Sequence, residues 1–411
     1  MNRRRFLKTA GLIPALTLLP LGRDGWAARA PEGASGAKRL MVVFLRGAVD
    51  GLNVVIPYHE SAYYDGRPNI AIPQRGDGAL LDLDGRFGLH PALASLLPLW
   101  REQKLGFVHA CGSPDPTRSH FDAQDYMESG TPGKKTTNDG WMNRLLATLP
   151  GARTPTQAVS FGPTSPRIFD GKMSVANIGV GKRAGKSVAL DRPEVSNAFD
   201  RMYQGHDAVA VAYREGQAAR KHVLAALQAD MEASDKNAPS ALGFGGIAEQ
   251  AGRLFARDPN VRLAFVAVGG WDTHINQGAA VGQLANHLRA LGDGLASFVR
   301  ALGPGIADTM IVVVSEFGRT VRENGNGGTD HGHGNVLWVI GGGVRGGKVY
   351  GNWPGLSDDR LYEGRDLAIT TDFRDTLGVV LARHLALKPE QLSAVFPGFT
   401  FAPHKLAGML A

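Results

Sequence analysis

The chain has 411 residues and a formal net charge of +7, of which residues 1–30 carry +5 because six basic side chains stand there against one acidic one. The remainder is therefore near +2, and it lacks the concentrated basic surface that binding to a phosphate backbone needs, which argues against a nucleic-acid-binding protein. The single cysteine, Cys111, excludes an intrachain disulfide, so stability must come from a buried core.

The first thirty residues are predicted to be an export signal. Paired arginines in RRRFLK (residues 3–8) precede the apolar run TAGLIPALTLLPLG and the Ala-rich end WAARA, a pattern typical of twin-arginine signals. Pro14 and Pro20 interrupt the run, which is shorter than the about 20 residues of a spanning helix. We expect export by the twin-arginine translocase, cleavage near Ala30 or alternatively Ala28, a periplasmic or secreted protein, and no membrane span after cleavage.

The mature chain opens with a predicted strand and a candidate metal ligand. RLMVVFL (residues 39–45) is a short β-branched run that ends before a glycine, as buried parallel strands do. Asp50 lies five residues beyond it in a glycine-flanked loop, where a carboxylate can hold a cation. The alternative is an aspartate that merely caps a turn.

A helix (HPALASLLPLWREQ) and a strand (KLGFVHACG) are predicted next, followed by a candidate nucleophile. Ser119 in PTRSHFDAQDYMESG stands at an apparent helix start, where backbone N–H groups stabilise an oxyanion. A bound metal would activate its hydroxyl, and Arg118 would grip a phosphate or sulfate through paired donors. The alternative is an ordinary helix N-cap serine.

The middle of the chain differs in pattern. Residues 155–185 resemble strands and loops, and residues 195–235 resemble a long polar helix. We interpret about 150–250 as a cap inserted over the carboxyl edge of the sheet, within one elaborated domain that spans 31–411. Its Lys, Arg and Gln content suggests an anionic ligand, although a charged helix face is usually only solvated.

A strand-helix-strand unit of the kind that forces parallel pairing follows, in VRLAFVAVGG, residues 279–302 and TMIVVVSEFG. Asp272 and His274 in GGWDTH stand two residues apart, so in an extended segment they share a side and can chelate one ion. The alternative is that both residues cap the next helix.

The last candidates follow the second strand of this unit. Glu316 lies just beyond it, and Asp330, His331 and His333 of TDHGHG occupy a Gly/Asn-rich loop fourteen residues later, the strongest local metal signal. A solvated flexible loop is the alternative. NVLWVIGGG is predicted to be a further strand, and TTDFRDTLGVVLARHLAL a closing helix.

Together these elements predict a three-layer α/β sandwich with a mostly parallel central sheet. Ligands bind at the carboxyl ends of strands in such sheets, which is where the carboxylates and imidazoles are expected to converge. Their oxygen and nitrogen atoms suit one or two divalent ions: zinc, calcium, magnesium or manganese.

The motifs LRGAVDGLN, RSHFDAQDYMESG, GGWDTH, SEFGRT, GTDHGHGN and TTDFRDTLG together resemble the family catalogued as domain of unknown function 1501, over nearly the whole mature chain. That family is similar to the alkaline phosphatase and sulfatase superfamily, which implies an alkaline phosphatase-like fold and hydrolysis of a phosphate or sulfate ester. By this resemblance Ser119 is the nucleophile and bridges the metals. One ion is held by Asp272, His274 and either His331 or His333, and the other by Asp50 and Glu316.

Two departures qualify the resemblance. Glu316-Phe317 stands where the superfamily usually has Asp-His, so one imidazole ligand is missing unless His120 replaces it. Pro114 occupies the cysteine position of the sulfatase signature Cys-x-Pro-x-Arg, which argues against a formylglycine sulfatase. A phosphatase, a serine-type sulfatase and a one-metal site remain open, as does a non-catalytic cell-envelope binding or assembly protein that retains the hydrolase fold.

Overall fold

The computed structural model describes residues 36–150, 154–162, 164–179, 193–205, 207, 209–211, 213, 243–402, 406 and 408–411. The predicted export signal, residues 1–30, lies outside these residues, as does most of the polar helix predicted at 195–235. Within the described ranges, no helix is both long enough and apolar enough to cross a membrane.

Nine strands from the described ranges form one central sheet. In chain order they are β1 Arg39–Leu45, β2 Leu105–Gly112, β3 Ala158–Phe161, β4 Ala176–Ile178, β5 Leu263–Val268, β6 Thr309–Ser315, β7 Asn335–Gly341, β8 Val349–Tyr350 and β9 Thr371–Asp372. Across the sheet the order is β8-β2-β7-β6-β1-β5-β3-β4, and β9 also pairs with β2. β7 runs antiparallel to β2 and β6, whereas the other recorded pairings of this sheet are parallel. The mostly parallel sheet is therefore confirmed.

Helices cover both faces of this sheet. Those described are α1 Gly51–Val54, α2 Ser61–Asp65, α3 Leu97–Arg101, α4 His120–Ser129, α5 Trp141–Thr148, α6 Pro193–Met202, α7 Phe244–Arg257, α8 Gln283–Leu302, α9 Phe373–His384 and α10 Pro389–Val395. A small antiparallel sheet of Val55–Ile56, Leu81–Asp82 and Gly88–Leu89 lies outside the central one.

The alternation of β1 side chains shows how the layers are held together. Val43 belongs to a buried cluster with Phe298 of α8, whereas its neighbour Val42 belongs to a second cluster with Trp141 of α5 and Leu377 of α9. Successive residues of a strand point to opposite faces, so β1 is buried on both sides. The predicted three-layer sandwich is confirmed.

Two segments differ from the sequence prediction. The helix expected in HPALASLLPLWREQ is a 3₁₀ helix, Pro91–Leu96, followed by the short α3, with non-helical backbone angles at Leu93. A proline at the start of each piece explains the break, because proline supplies no N–H to a continuous helix. β3 and β4, which fall within the range predicted to form a cap, extend the central sheet.

The carboxyl ends of β1, β5 and β6 meet at one edge of the sheet, because these three strands are parallel neighbours. The loops that follow them pack closely. Gly47 has a φ of +114°, and a Cβ atom there would lie 2.7 Å from the backbone nitrogen of Asp272. This position therefore requires glycine for both its conformation and its close contact.

Candidate metal centre

Four side chains from three segments converge at this edge. His120 begins α4, Asp272 and His274 lie in the loop after β5, and His331 lies in the loop between β6 and β7. Ligand atoms of His120, Asp272 and His331 all lie within 4.8 Å of one another. His274 joins them through its Nε2, which is 3.1 Å from Asp272 Oδ1 and 2.9 Å from His331 Nε2.

Each imidazole of this cluster has its Nδ1 next to an oxygen acceptor. The pairs are His120 with Glu316 Oε1 at 2.8 Å, His274 with Asp330 Oδ1 at 3.1 Å, and His331 with the carbonyl oxygen of Arg118 at 2.8 Å. An acceptor at Nδ1 assigns the proton to that nitrogen and leaves the Nε2 lone pair facing the other ligands. This is the arrangement of histidines that bind a metal through Nε2.

The donor set fits a divalent cation. His274 and His331 bring two Nε2 atoms to 2.9 Å, where two bare lone pairs repel unless a proton or a cation lies between them. His120 Nε2 is buried and makes no hydrogen bond to the described part of the chain. Three imidazole nitrogens and one carboxylate oxygen match the tetrahedral ligand set that Zn²⁺ accepts.

Electrostatics keep Asp272 ionised. Burial alone would raise the pKa of this carboxyl, but the hydrogen bond and charge of Arg319, with the nearby His274 and His120, outweigh burial and lower it. Arg319 Nη2 lies 2.7 Å from Asp272 Oδ1 and is itself fully buried. An ionised carboxylate is the form that coordinates a cation.

Burial, reinforced by the neighbouring His120 and Arg319, lowers the pKa of His331. A lowered pKa leaves this imidazole neutral at physiological pH. A neutral imidazole is the form that coordinates a metal.

Glu316 faces His120 rather than the shared space between the four ligands. Its Oε1 accepts hydrogen bonds from the Gly47 backbone, His120 Nδ1 and Gln124 Nε2. Burial would raise the pKa of Glu316, but these hydrogen bonds, above all the one from His120, lower it below the usual range. Glu316 is therefore an ionised group that orients His120.

Ser119 is the N-cap of α4, and its Oγ accepts from the Asp122 backbone at 3.5 Å. It lies between two residues that touch the cluster, because the Arg118 carbonyl binds His331 and His120 is a member. The Arg118 side chain is engaged by Asp366 and Glu363, at 2.8 and 2.6 Å. Ser119 is therefore next to the cluster in sequence, its Oγ caps α4, and the Arg118 guanidinium is already paired.

Three predicted ligands lie elsewhere. Asp50 is fully buried and forms an ion pair with Arg67. His333 is buried and stacks on Tyr362 with ring centroids 4.3 Å apart. Asp330 reaches the cluster only through the Nδ1 of His274 and also accepts from Asn324.

Sequence reasoning missed two residues that organise this centre, Arg319 and Gln124, and it also missed Arg67, which pairs with Asp50. Gln124 follows His120 by four residues, so the two share a helix face, and that spacing was a usable signal. Arg319 stands in the motif SEFGRT. It is fully buried and donates five hydrogen bonds to other loops, and the motif alone does not predict these partners. Arg67 carries no local pattern.

The fold and this cluster define an α/β protein with a candidate metal centre at the carboxyl edge of a mostly parallel sheet. The family model described as "Protein of unknown function (DUF1501)" matches residues 37–396. The chain belongs to this DUF1501 family. A search of curated proteins finds no match to the chain.

Three of the solved structures to which the chain is similar span most of its length. The C-terminal periplasmic domain of EcEptC from Escherichia coli, in complex with Zn, has a TM-score of 0.34 and 10% identity, covering 79% of this chain and 76% of that one. A protein in the alkaline phosphatase superfamily from Vibrio parahaemolyticus has a TM-score of 0.36 and 12% identity, and the match covers 83% of this chain and 69% of that one. The lipoteichoic acid synthase LtaP from Listeria monocytogenes has a TM-score of 0.33 and 10% identity, and the match covers 75% of this chain and 66% of that one. Likenesses of this size assign neither a substrate nor a reaction.

Proposed function

We propose that the protein is an exported metal-dependent hydrolase of phosphate or sulfate esters, with Ser119 as its nucleophile. The observation that carries the proposal is the convergence of three histidine Nε2 atoms and the Asp272 carboxylate beside a serine at a helix start. His120, Asp272, His274 and His331 would hold the cation. When bound, such a cation supplies Lewis acidity, which favours the ionised form of a nearby hydroxyl.

The chain itself positions the nucleophile. Ser119 is fixed between the His331-bound carbonyl of Arg118 and the cluster residue His120. Helix α4, ten residues long, begins directly after Ser119, so the N–H groups of its first turn lie near this serine. These groups and the positive end of the helix dipole stabilise an anionic ester oxygen.

Exposed apolar side chains indicate what the ester carries. Phe121 is 85% exposed and follows His120, and Ile275 is 59% exposed and follows His274. Exposed apolar side chains are typical of a binding surface when they form a patch next to a polar centre. We therefore expect the preferred ester to bear an apolar group, which these two side chains would contact.

Export is supported by the twin-arginine pattern of residues 3–8, which precedes the family match that starts at residue 37. The twin-arginine translocase would be the partner during export. An anionic ester would be the substrate outside the cytoplasm.

The test is hydrolysis by the mature protein loaded in turn with Zn²⁺, Mn²⁺, Mg²⁺ and Ca²⁺. The panel pairs aryl phosphates and sulfates with long-chain alkyl phosphates and sulfates. We expect turnover with at least one ion, faster for the esters that carry an apolar group. Ser119→Ala should reduce kcat roughly a thousandfold or more while the metal content stays unchanged.

The matched control is Ser393→Ala, because Ser393 is an exposed serine on α10. Full turnover in Ser119→Ala would remove this serine from the mechanism. If no ester is turned over with any ion, the hydrolase proposal fails in favour of the non-catalytic cell-envelope binding protein.

A further inference from the structure

The resemblance to two-metal hydrolases requires Asp50 and Glu316 to hold a second ion, and the structure shows what these carboxylates bind. Asp50 is fully buried, with Arg67 Nη1 2.6 Å from Oδ2 and Nη2 3.0 Å from Oδ1. Gln277 Nε2 adds a third donor to Oδ2 at 2.7 Å. Both oxygens of Asp50 are therefore occupied by protein donors in a bidentate geometry.

Arg67 is held equally firmly. Its Nε donates to the carbonyl oxygen of Val321, its Nη2 to that of Thr320, each at 2.8 Å, and its Nη1 to Asn53 Oδ1 at 2.8 Å. The guanidinium is fully buried and stays charged at any physiological pH. It places a permanent positive charge beside the carboxylate that the two-metal pattern assigns to an ion.

Glu316 is also held by the protein, mainly through Oε1. Gly47 N and His120 Nδ1 lie 2.8 Å and Gln124 Nε2 2.9 Å from Oε1, and Ser315 Oγ lies 3.0 Å from Oε2. The side chain is fully buried. A cation at Oε1 of Glu316 would have to displace hydrogen bonds that position His120, a ligand of the cluster.

We infer that the centre takes a single divalent cation, and that the Arg67 guanidinium occupies the place of a second positive charge. Asp50 and Glu316 then serve as positioning residues: Asp50 with Arg67 ties together the loops after β1 and β6, and Glu316 orients His120. This inference rests on the metal centre of the proposed function and does not require Ser119 to be the nucleophile.

The first experiment counts ions per chain by native mass spectrometry and elemental analysis, after equilibration with excess Zn²⁺ and removal of weakly bound metal. One ion per chain, lost in His120→Ala combined with His331→Ala but kept in His59→Ala, is the expected result. His59 is an exposed histidine outside the cluster and controls for surface binding. Two ions per chain would overturn the single-ion inference and leave the proposed metal-dependent hydrolase intact. No bound ion would overturn both the single-ion inference and the proposed function.

The second experiment repeats the count on Glu316→Gln and Asp50→Asn. Both variants should still bind one ion. Glu316→Gln should weaken Zn²⁺ affinity about 10–100-fold, because the acceptor that orients a metal-binding imidazole loses its charge. Asp50→Asn leaves Arg67 buried without its anion, so Glu316→Gln is decisive if Asp50→Asn does not fold. A fall from two ions to one in Glu316→Gln would show that this carboxylate is a ligand.

Discussion

At the scale of single residues, His120 connects the candidate nucleophile with the candidate metal centre. It contributes one of the three imidazoles of the candidate centre, and it is the residue after Ser119. Its Nδ1 is held by Glu316 and its ring lies 4.3 Å from that of His331. His120 therefore places the candidate nucleophile one residue from a candidate metal ligand.

A second histidine makes the protein sensitive to acid. His109 is buried on β2, where Nε2–H donates to the Val55 carbonyl oxygen and Nδ1 accepts from the Ala110 backbone. Burial lowers its pKa to about 4, although the bond to Val55 opposes this shift. The unfolded chain, with an ordinary histidine pKa of about 6.5, takes up a proton between these two values while the folded protein does not. Stability therefore falls as the pH drops from about 6.5 toward 4.

We predict that the wild type loses roughly 2 kcal/mol more unfolding free energy between pH 7 and pH 5 than His109→Gln does. Glutamine keeps a donor and an acceptor but does not titrate. Urea unfolding at the two pH values measures the difference, with His59→Ala as the control that should keep the wild-type pH dependence. Equal losses in wild type and His109→Gln would show that His109 is not the group responsible.

At this scale the sequence predicted which side chains gather at the candidate site better than it predicted their hydrogen-bond partners. Asp272 and His274 were predicted from their position after a strand and His331 from its Gly/Asn-rich loop, and the three lie together. His120 was identified as the replacement for a missing imidazole. The contacts of Asp50 and His333 depend on Arg67 and Tyr362, which come from distant parts of the chain. No spacing rule reports such long-range partners, so these two ligand assignments stay predictions.

At the scale of elements, the packing of α7 against α8 depends on Gly252. A Cβ atom there would lie 2.7 Å from the Cβ of Ala301 and 3.1 Å from the carbonyl oxygen of Phe298. Gly245, on the same helix, has no atom within 4 Å of a built Cβ. Alanine improves helix propensity at both positions, so only packing distinguishes them.

We predict that Gly252→Ala destabilises the protein by about 1–3 kcal/mol, because the added methyl overpacks the interface. Gly245→Ala should be neutral or stabilise it by up to ~1 kcal/mol. Thermal and urea unfolding of the two variants measure this difference. The same sign of change at both glycines would contradict the packing argument.

Elements with strong periodicity were predicted well. The run RLMVVFL is β1 at Arg39–Leu45, and the closing helix is α9 at Phe373–His384. The amphipathic stretch predicted from residue 279 begins its helix at Gln283, because residues 279–282 form a loop that ends in Gly282 at a φ of +125°. The direction of strand pairing was harder to predict. β7 runs antiparallel to β6 because the chain turns back through the loop that contains His331. The predicted cap boundaries remain a prediction.

At the scale of the whole molecule, the candidate centre brings together segments that lie far apart in the sequence. Its ligands come from α4, the loop after β5 and the loop between β6 and β7. A ligand that binds only the folded state stabilises it, by about 2.7 kcal/mol at a hundredfold excess over Kd. Metal binding should therefore be measurable as protein stability.

We predict that a chelator lowers the unfolding midpoint of the metal-loaded protein by several degrees and that Zn²⁺ restores it. His331→Ala should unfold at one temperature with or without chelator. Differential scanning calorimetry of both proteins gives the answer. A chelator effect that persists in His331→Ala would place the stabilising ion elsewhere.

The position of β1 at the middle of the sheet has a consequence for how the chain is made. Leu40 pairs with Leu263 on one side and with Met310 on the other, so the earliest strand meets its partners only after most of the chain has been synthesised. Such non-local pairing gives a high contact order and slow folding. A nascent chain halted before β6 would expose the apolar edge of its own central strand. Ribosome-bound intermediates of this protein should therefore depend on chaperones until translation is nearly complete.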